Sequence, residues 1–179
     1  MKEINDVSLS PALKGKIILM HRKKSPMRIS TTHITRAGII AAIYVAVTFL
    51  LSSISFGPVQ VRVAEGLTLL PILFPESIIG LFLGCLLANL LGPFGAADIV
   101  FGSLTTLLAA YITYRFRRNF MAYLSPILLN AFIVSLYLRL LFAVPYWPTV
   151  LTIGLGQCAA VLGLGIPLLH LLKKQINNK

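Results

Sequence analysis

Five stretches of the chain, residues 34–54, 67–91, 99–114, 123–144 and 150–172, are almost free of charge. Most approach the roughly 20 apolar residues that cross a bilayer as a helix. None shows the strict alternation of a barrel strand. Of the 179 residues, 57% are hydrophobic and 12% charged, where a soluble domain carries about a quarter charged. That leaves too little polar surface to cover a water-soluble core. The expectation is one all-α, polytopic membrane domain.

The net charge of +11 raises the question of nucleic acid, and its distribution argues against it. Lys2, Lys14, Lys16, Arg22, Lys23, Lys24, Arg28 and Arg36 precede or open the first span, Arg115, Arg117 and Arg118 share one connector, and Lys173, Lys174 and Lys179 form the tail. Only Arg62 and Arg139 stand apart. A basic stripe interleaved with aromatics would suit nucleic acid. Charge confined to connectors is instead the positive-inside pattern, with some attraction to anionic lipid.

The same pattern chooses between span counts. The block 67–91 contains Pro71 and, at its middle, Pro75-Glu76. As one kinked span it gives five helices and leaves the 115–118 connector and the tail outside. As two short spans turning at Pro75 it gives six, and gathers all the Lys and Arg except Arg62 and Arg139 on the cytoplasmic side. Six transmembrane helices are therefore expected, with both termini cytoplasmic in the cell membrane. Residues 1–33 form a basic cytoplasmic extension, 34–173 the transmembrane domain and 174–179 a short tail. The extension has only Ile17-Ile18-Leu19-Met20 as an apolar run, too short for a secretory signal. Met27-Arg28 leads directly into the first span and would serve as a start.

Few catalytic or cofactor motifs are even approached. Cys85 and Cys158 lie inside apolar spans and read as small packing residues. His21, His33 and His170 are scattered, so no metal cluster is visible. Phosphate-loop, H-E-x-x-H and G-x-S-x-G patterns are absent, and no cofactor is implied. Energy for any transport must come from another chain or a gradient.

Two features point to function. Small residues recur every four positions: Gly38, Ala42 and Ala46 in the first span with Ala37 and Ala41 beside them, Gly80, Gly84 and Ala88 in the third, and, more loosely, Gly156, Ala160 and Gly163 in the sixth. Such faces let helices approach closely in lipid. The third and sixth are read as internal packing, while the first divides between internal packing and a docking face for a partner. The second feature is polarity at membrane depth. On six spans, Arg62, Glu65, Asn89 and Asp98 fall at the outer ends of their helices, Gln157 lies somewhat deeper, and Asn130 near the midplane. Each has an ordinary structural use, such as a helix cap or an interhelical bridge. Their shared depth is what favours a site, because polar groups there are costly. Arg62 lies three residues from Glu65, so their pairing would leave Asp98 for a ligand.

These residues resemble a known family. Val61-Arg62-Val63-Ala64-Glu65-Gly66-Leu67-Thr68-Leu69-Leu70-Pro71, Pro75-Glu76-Ser77-Ile78-Ile79-Gly80-Leu81, Gly84-Cys85, Asn89, and the run from Asp98 to Ala110 are similar to the QueT family. The similarity extends over about residues 27–179. The family comprises substrate-binding S-components of energy-coupling-factor importers assigned to deazaguanine precursors of queuosine. The resemblance implies a six-helix S-component, substrate bound on its outer side, and docking through the alanines of the first span onto a transmembrane coupling subunit driven by two ATPases. One departure is Gly156-Gln157, where family members often carry Gly-Glu.

The chemistry is compatible with that substrate class. A guanine-like edge offers adjacent N–H donors to a carboxylate and a carbonyl that seeks a donor. An aminomethyl group adds a cation that calls for a second acid. Glu65, Asp98 and Asn89 are the leading candidates, followed by Arg62, Asn130 and Gln157, and Phe56, Phe94, Phe101, Tyr146 or Trp147 could stack on the base. Two alternatives stand beside this reading. One is an S-component for another vitamin or nucleobase. The other is a small intramembrane enzyme acting on lipid, which would need a nucleophile beside its base, whereas Cys158 and His170 stand twelve residues apart.

Overall fold

The protein is described by a computed structural model covering residues 30–56 and 61–178. The extension up to residue 29, with its short apolar run and Met27, lies outside the described residues. From Thr32 onward the chain packs as one unit.

Every element among the described residues is helical. Four helices are long and apolar enough to cross a membrane: α1 (Thr31–Leu50), α3 (Gly95–Arg115), α4 (Met121–Phe142) and α5 (Tyr146–Asn177). Between α1 and α3 lie two shorter apolar pieces, a 3-10 helix (Val63–Ile72) and α2 (Ser77–Leu90). The block 67–91 is thus two helices broken at residues 73–76, not one kinked rod. The first begins at Val63, which places Glu65 within its first turn and not ahead of it. Runs of 3-10 helix this long are uncommon. Its rise of about 2 Å per residue carries ten residues roughly 20 Å, where an α-helix would cover about 15 Å.

Glycine explains how these pieces approach one another. A Cβ on Gly80 would lie 2.6 Å from the Ala37 carbonyl oxygen, and one on Gly84 would lie 2.8 Å from Tyr44 Cβ and 3.0 Å from the Ala41 carbonyl oxygen. The backbones of α1 and α2 therefore meet through Ala37 and Ala41. Gly38, Ala42 and Ala46 lie on the exposed face of the same helix, and none of the described residues stands within 4 Å of a Cβ built on Gly38. The 3-10 helix meets α5 in the same way, since a Cβ on Gly66 would lie 2.8 Å from the Ala160 carbonyl oxygen and one on Gly165 2.6 Å from the Gly66 carbonyl oxygen. In α5 the close packing uses Ala160 and Gly165, while Gly163 faces open space.

The connectors sort to two ends. Phe49, Phe56, Phe94 and Phe142 form a chain of ring contacts with centroids 6.0–6.5 Å apart, tying the ends of α1 and α4 to Phe56 and to the 91–94 connector. At the opposite end Arg36 pairs with Glu76 at 3.1 Å and lies 5.0 Å over the Phe74 ring. The α3–α4 turn at that end is closed by Thr113, whose hydroxyl donates to the Ala122 carbonyl at 3.0 Å. Outside, the rods are apolar: Leu50 is 84% exposed and Leu140 75%. Arg62, Glu65, Asn89, Asp98, Asn130 and Gln157 are inside. This inversion suits a lipid solvent, where packing and interhelical hydrogen bonds hold helices together.

The glycine contacts give a direct test. Gly84→Val should destabilise the protein by about 1–3 kcal/mol, the usual cost of overpacking, whereas Gly38→Val should leave its stability unchanged. Thermal unfolding of the two detergent-purified variants measures both.

Candidate functional site

The interior holds a connected set of polar side chains from five elements. Arg62, immediately before the 3-10 helix, donates from Nη2 to Asp98 Oδ2 at 2.6 Å, and both side chains are buried. Tyr137 of α4 donates its hydroxyl to the other oxygen of Asp98. Asn89 at the end of α2 donates to the Asp98 backbone carbonyl at 2.7 Å. Gly102 makes room for this corner, because a Cβ there would sit 2.6 Å from Asp98 Oδ1 and 2.9 Å from Asn89 Nδ2. Phe56 covers the outer side, with the Arg62 guanidinium carbon 5.6 Å above its ring centroid.

Glu65 forms the second node. It is wholly buried, and Tyr44 donates to its Oε1 at 2.5 Å. Thr106 donates to the same oxygen at 3.2 Å, and Asn130 donates to Oε2 at 3.2 Å. Among the described residues no cation is in ion-pair contact with Glu65. All three donors are neutral side chains, and both carboxyl oxygens accept.

A gap of about 10 Å³ lies between the nodes, lined by Arg62, Asn130, Val134, Ile153 and Gln157. That is the space of a single water. Gln157 Oε1 and Asn89 Oδ1 are buried acceptors without a hydrogen-bond partner among the described residues. Such groups are rare inside proteins and costly. The three π-helical segments among the described residues, Asp98–Gly102, Asn130–Val134 and Ala159–Gly165, begin at Asp98, at Asn130 and two residues after Gln157. A π turn interrupts the regular α-helical register and is frequent at functional sites.

Five of the six residues singled out from the sequence thus join one network, and the sixth, Gln157, lines the gap beside it. Their pairing differs from the expectation. Arg62 turns to Asp98 and leaves Glu65 to neutral donors, because Arg62 precedes the helix in extended backbone (φ −82°, ψ 94°) and does not share its register. Asp98 is consequently not a free acid. Tyr44, Thr106 and Tyr137 were not foreseen. The available signal was a tyrosine in mid-span, whose hydroxyl requires a partner wherever it is buried. Of the candidate stacking aromatics, Phe56 reaches Arg62 and Phe94 packs on Phe56, while Trp147 is 66% exposed, away from the centre. Cys85 is fully buried, as its packing role requires, and lies 3.3 Å from the Thr106 hydroxyl, while Cys158 is half-buried.

Membrane-length helices enclosing a buried polar centre define the class as a multi-pass membrane protein. Residues 34–174 match the sequence profile of the family described as QueT transporter, and the chain belongs to that family. A protein of Lactococcus lactis subsp. cremoris (strain MG1363), described as "Queuosine precursor transporter QueT", is 30% identical over 147 residues, spanning 73% of this chain and 86% of the relative. No solved structure matches. Both comparisons name transporters, which speaks against the lipid-acting enzyme.

The ion pair is testable on its own. Removing one partner of a buried pair leaves an uncompensated charge, at a cost of about 3–5 kcal/mol. Asp98→Ala should therefore unfold at markedly lower temperature than wild type, and Arg62→Met combined with Asp98→Leu should recover most of the loss. Thermal unfolding in one detergent ranks the three proteins.

Proposed function

We propose that this chain is the substrate-binding membrane subunit, the S-component, of an ATP-driven energy-coupling-factor importer that takes up a deazaguanine precursor of queuosine. The observation that carries the reading is the polar network around Glu65 and the Arg62–Asp98 pair, enclosed in a bundle that otherwise avoids polarity. Its groups match the substrate's. Glu65 offers acceptors to the N–H donors of a guanine-like edge, Arg62 and Asn130 offer donors to its carbonyl, and Gln157 Oε1 is an unused acceptor. Two acids face one base in the centre, which suits a precursor bearing an ammonium group. Membership of the QueT transporter family and the name of the Lactococcus relative support the same substrate.

The gap of about 10 Å³ is far below the roughly 300–1,000 Å³ of small-molecule pockets. Binding there requires the elements around it to separate. The Arg62 side chain, which lines the gap and lies under the Phe56 ring, is the natural group to move. Six crossings, counting the 3-10 helix and α2, put the end with Arg36, Arg115, Arg117, Arg118, Lys173 and Lys174 in the cytoplasm and the network toward the outside. Gly38, Ala42 and Ala46 form the docking face for the transmembrane coupling subunit, which two ATPases drive. Their exposure, with Ala37 and Ala41 already committed to α2, supports that division of α1. The N-terminal extension and the tail lie on the cytoplasmic side of the cell membrane.

Isothermal titration of the detergent-purified chain with aminomethyl-deazaguanine base should show binding without any partner, and its absence would remove this substrate. Ala42→Phe should retain that binding yet abolish uptake in cells holding the coupling subunits. Loss of binding would instead return this face to the chain's own packing. For topology, a cysteine at exposed Ala96 should react with an impermeant reagent in intact cells, and one at Asn119 should not. Reaction at Asn119 would sink the six-crossing count.

A further inference from the structure

Glu65 has two oxygens in different surroundings, and the difference bears on one of its donors, Tyr44. Oε1 accepts from Tyr44 at 2.5 Å and Thr106 at 3.2 Å, while Oε2 accepts from Asn130 alone, at 3.2 Å. A carboxylate oxygen has room for about two donors. Oε1 is therefore filled, and Oε2 keeps one acceptor position. Asn130 borders the gap shared with Arg62, Val134, Ile153 and Gln157. The single donor to Oε2 thus comes from α4 and borders the gap, while the two donors to Oε1 come from α1 and α3.

We infer that Tyr44 is a positioning residue for ligand recognition: its phenol, aided by Thr106, holds Oε1 so that Oε2 is presented to the bound base. The inference rests on the function proposed above. Tyr44 is placed to do this by the bundle itself. Its ring is fully buried beside Ile40, Ala64, Leu70, Leu81, Cys85, Ala88 and Ala110, and Gly84, lacking a side chain, lets its Cβ come close to α2. A tyrosine in a membrane span ordinarily keeps its hydroxyl at the headgroup level. Here the hydroxyl points into the bundle, and its hydrogen-bond partner is the buried carboxylate. Thr106 is the weaker anchor, since its single proton is shared between Glu65 and Cys85 Sγ at 3.3 Å. Neither residue needs to touch the base. Each acts through the orientation of Glu65.

A double-mutant cycle separates this role from ordinary packing. Wild type, Tyr44→Phe, Glu65→Gln and the double variant, each full-length and detergent-purified, are titrated with aminomethyl-deazaguanine base. Tyr44→Phe should bind about tenfold more weakly, the scale of a hydrogen bond to a charged group. The double variant should bind no more weakly than Glu65→Gln alone. Wild-type affinity in Tyr44→Phe, or two losses that multiply in the double variant, would show that Tyr44 only packs. Failure of wild type to bind the base at all would strike the proposed function instead, so the two failures are distinguishable. If Tyr44→Phe does not fold, Thr106→Val takes its place in the same cycle. A loss smaller than tenfold that vanishes in the Glu65→Gln background supports the assignment, and no loss overturns it.

Discussion

A carboxylate inside an apolar bundle must find its donors there, and much of this architecture follows from satisfying Glu65 and Asp98. The donors arrive from different places: Tyr44 from α1, Thr106 from α3, Asn130 and Tyr137 from α4, and Arg62 from the segment before the 3-10 helix. No single helix pair could supply them. Apolar burial gives little reason for helices to associate in lipid, so this network, together with the glycine contacts of α2 and of the 3-10 helix, sets the arrangement. The arrangement is also demanding. A buried ion pair contributes little net stability compared with an apolar replacement, yet breaking it is expensive. Retaining one in a chain with so few acids points to use and not to strength.

Much of this was legible in the sequence, and the limits have physical causes. The apolar blocks, the break at Pro75-Glu76 and the set of polar residues that the bundle buries, Arg62, Glu65, Asn89, Asp98, Asn130 and Gln157, all follow from hydropathy and charge. Which residue pairs with which does not. Spacing alone suggested Arg62 with Glu65, because three residues make neighbours on a helix; the extended backbone at Arg62 removes that relationship. Tyr44, Tyr137 and Thr106 looked like ordinary membrane residues, since nothing in the composition of a span reveals which way a hydroxyl points. The π segments are equally invisible beforehand, yet they sit at or beside three of the site residues.

The small-residue faces show how one pattern serves two ends. In α2 the four-residue spacing of Gly80 and Gly84 is spent on backbone contact with α1. In α1 the two registers divide, Ala37 and Ala41 turning inward and Gly38, Ala42 and Ala46 outward. A period of four alone cannot tell these apart. What distinguishes them is the neighbour on each side, which only the folded bundle supplies.

That division gives α1 the mechanics of a lever. Gly38, Ala42 and Ala46 are exposed on its outer face among the described residues, while its inner face carries the Tyr44 hydroxyl that fastens Glu65. A group about 6 Å from a helix axis moves roughly 2 Å when the helix rolls by about 20°, and a hydrogen bond does not survive that displacement. Any grip on the outside of α1 that turned the helix by this much would pull the phenol from the carboxylate. Torque applied at the exposed surface of α1 would thus reach the buried acid through the Tyr44 phenol.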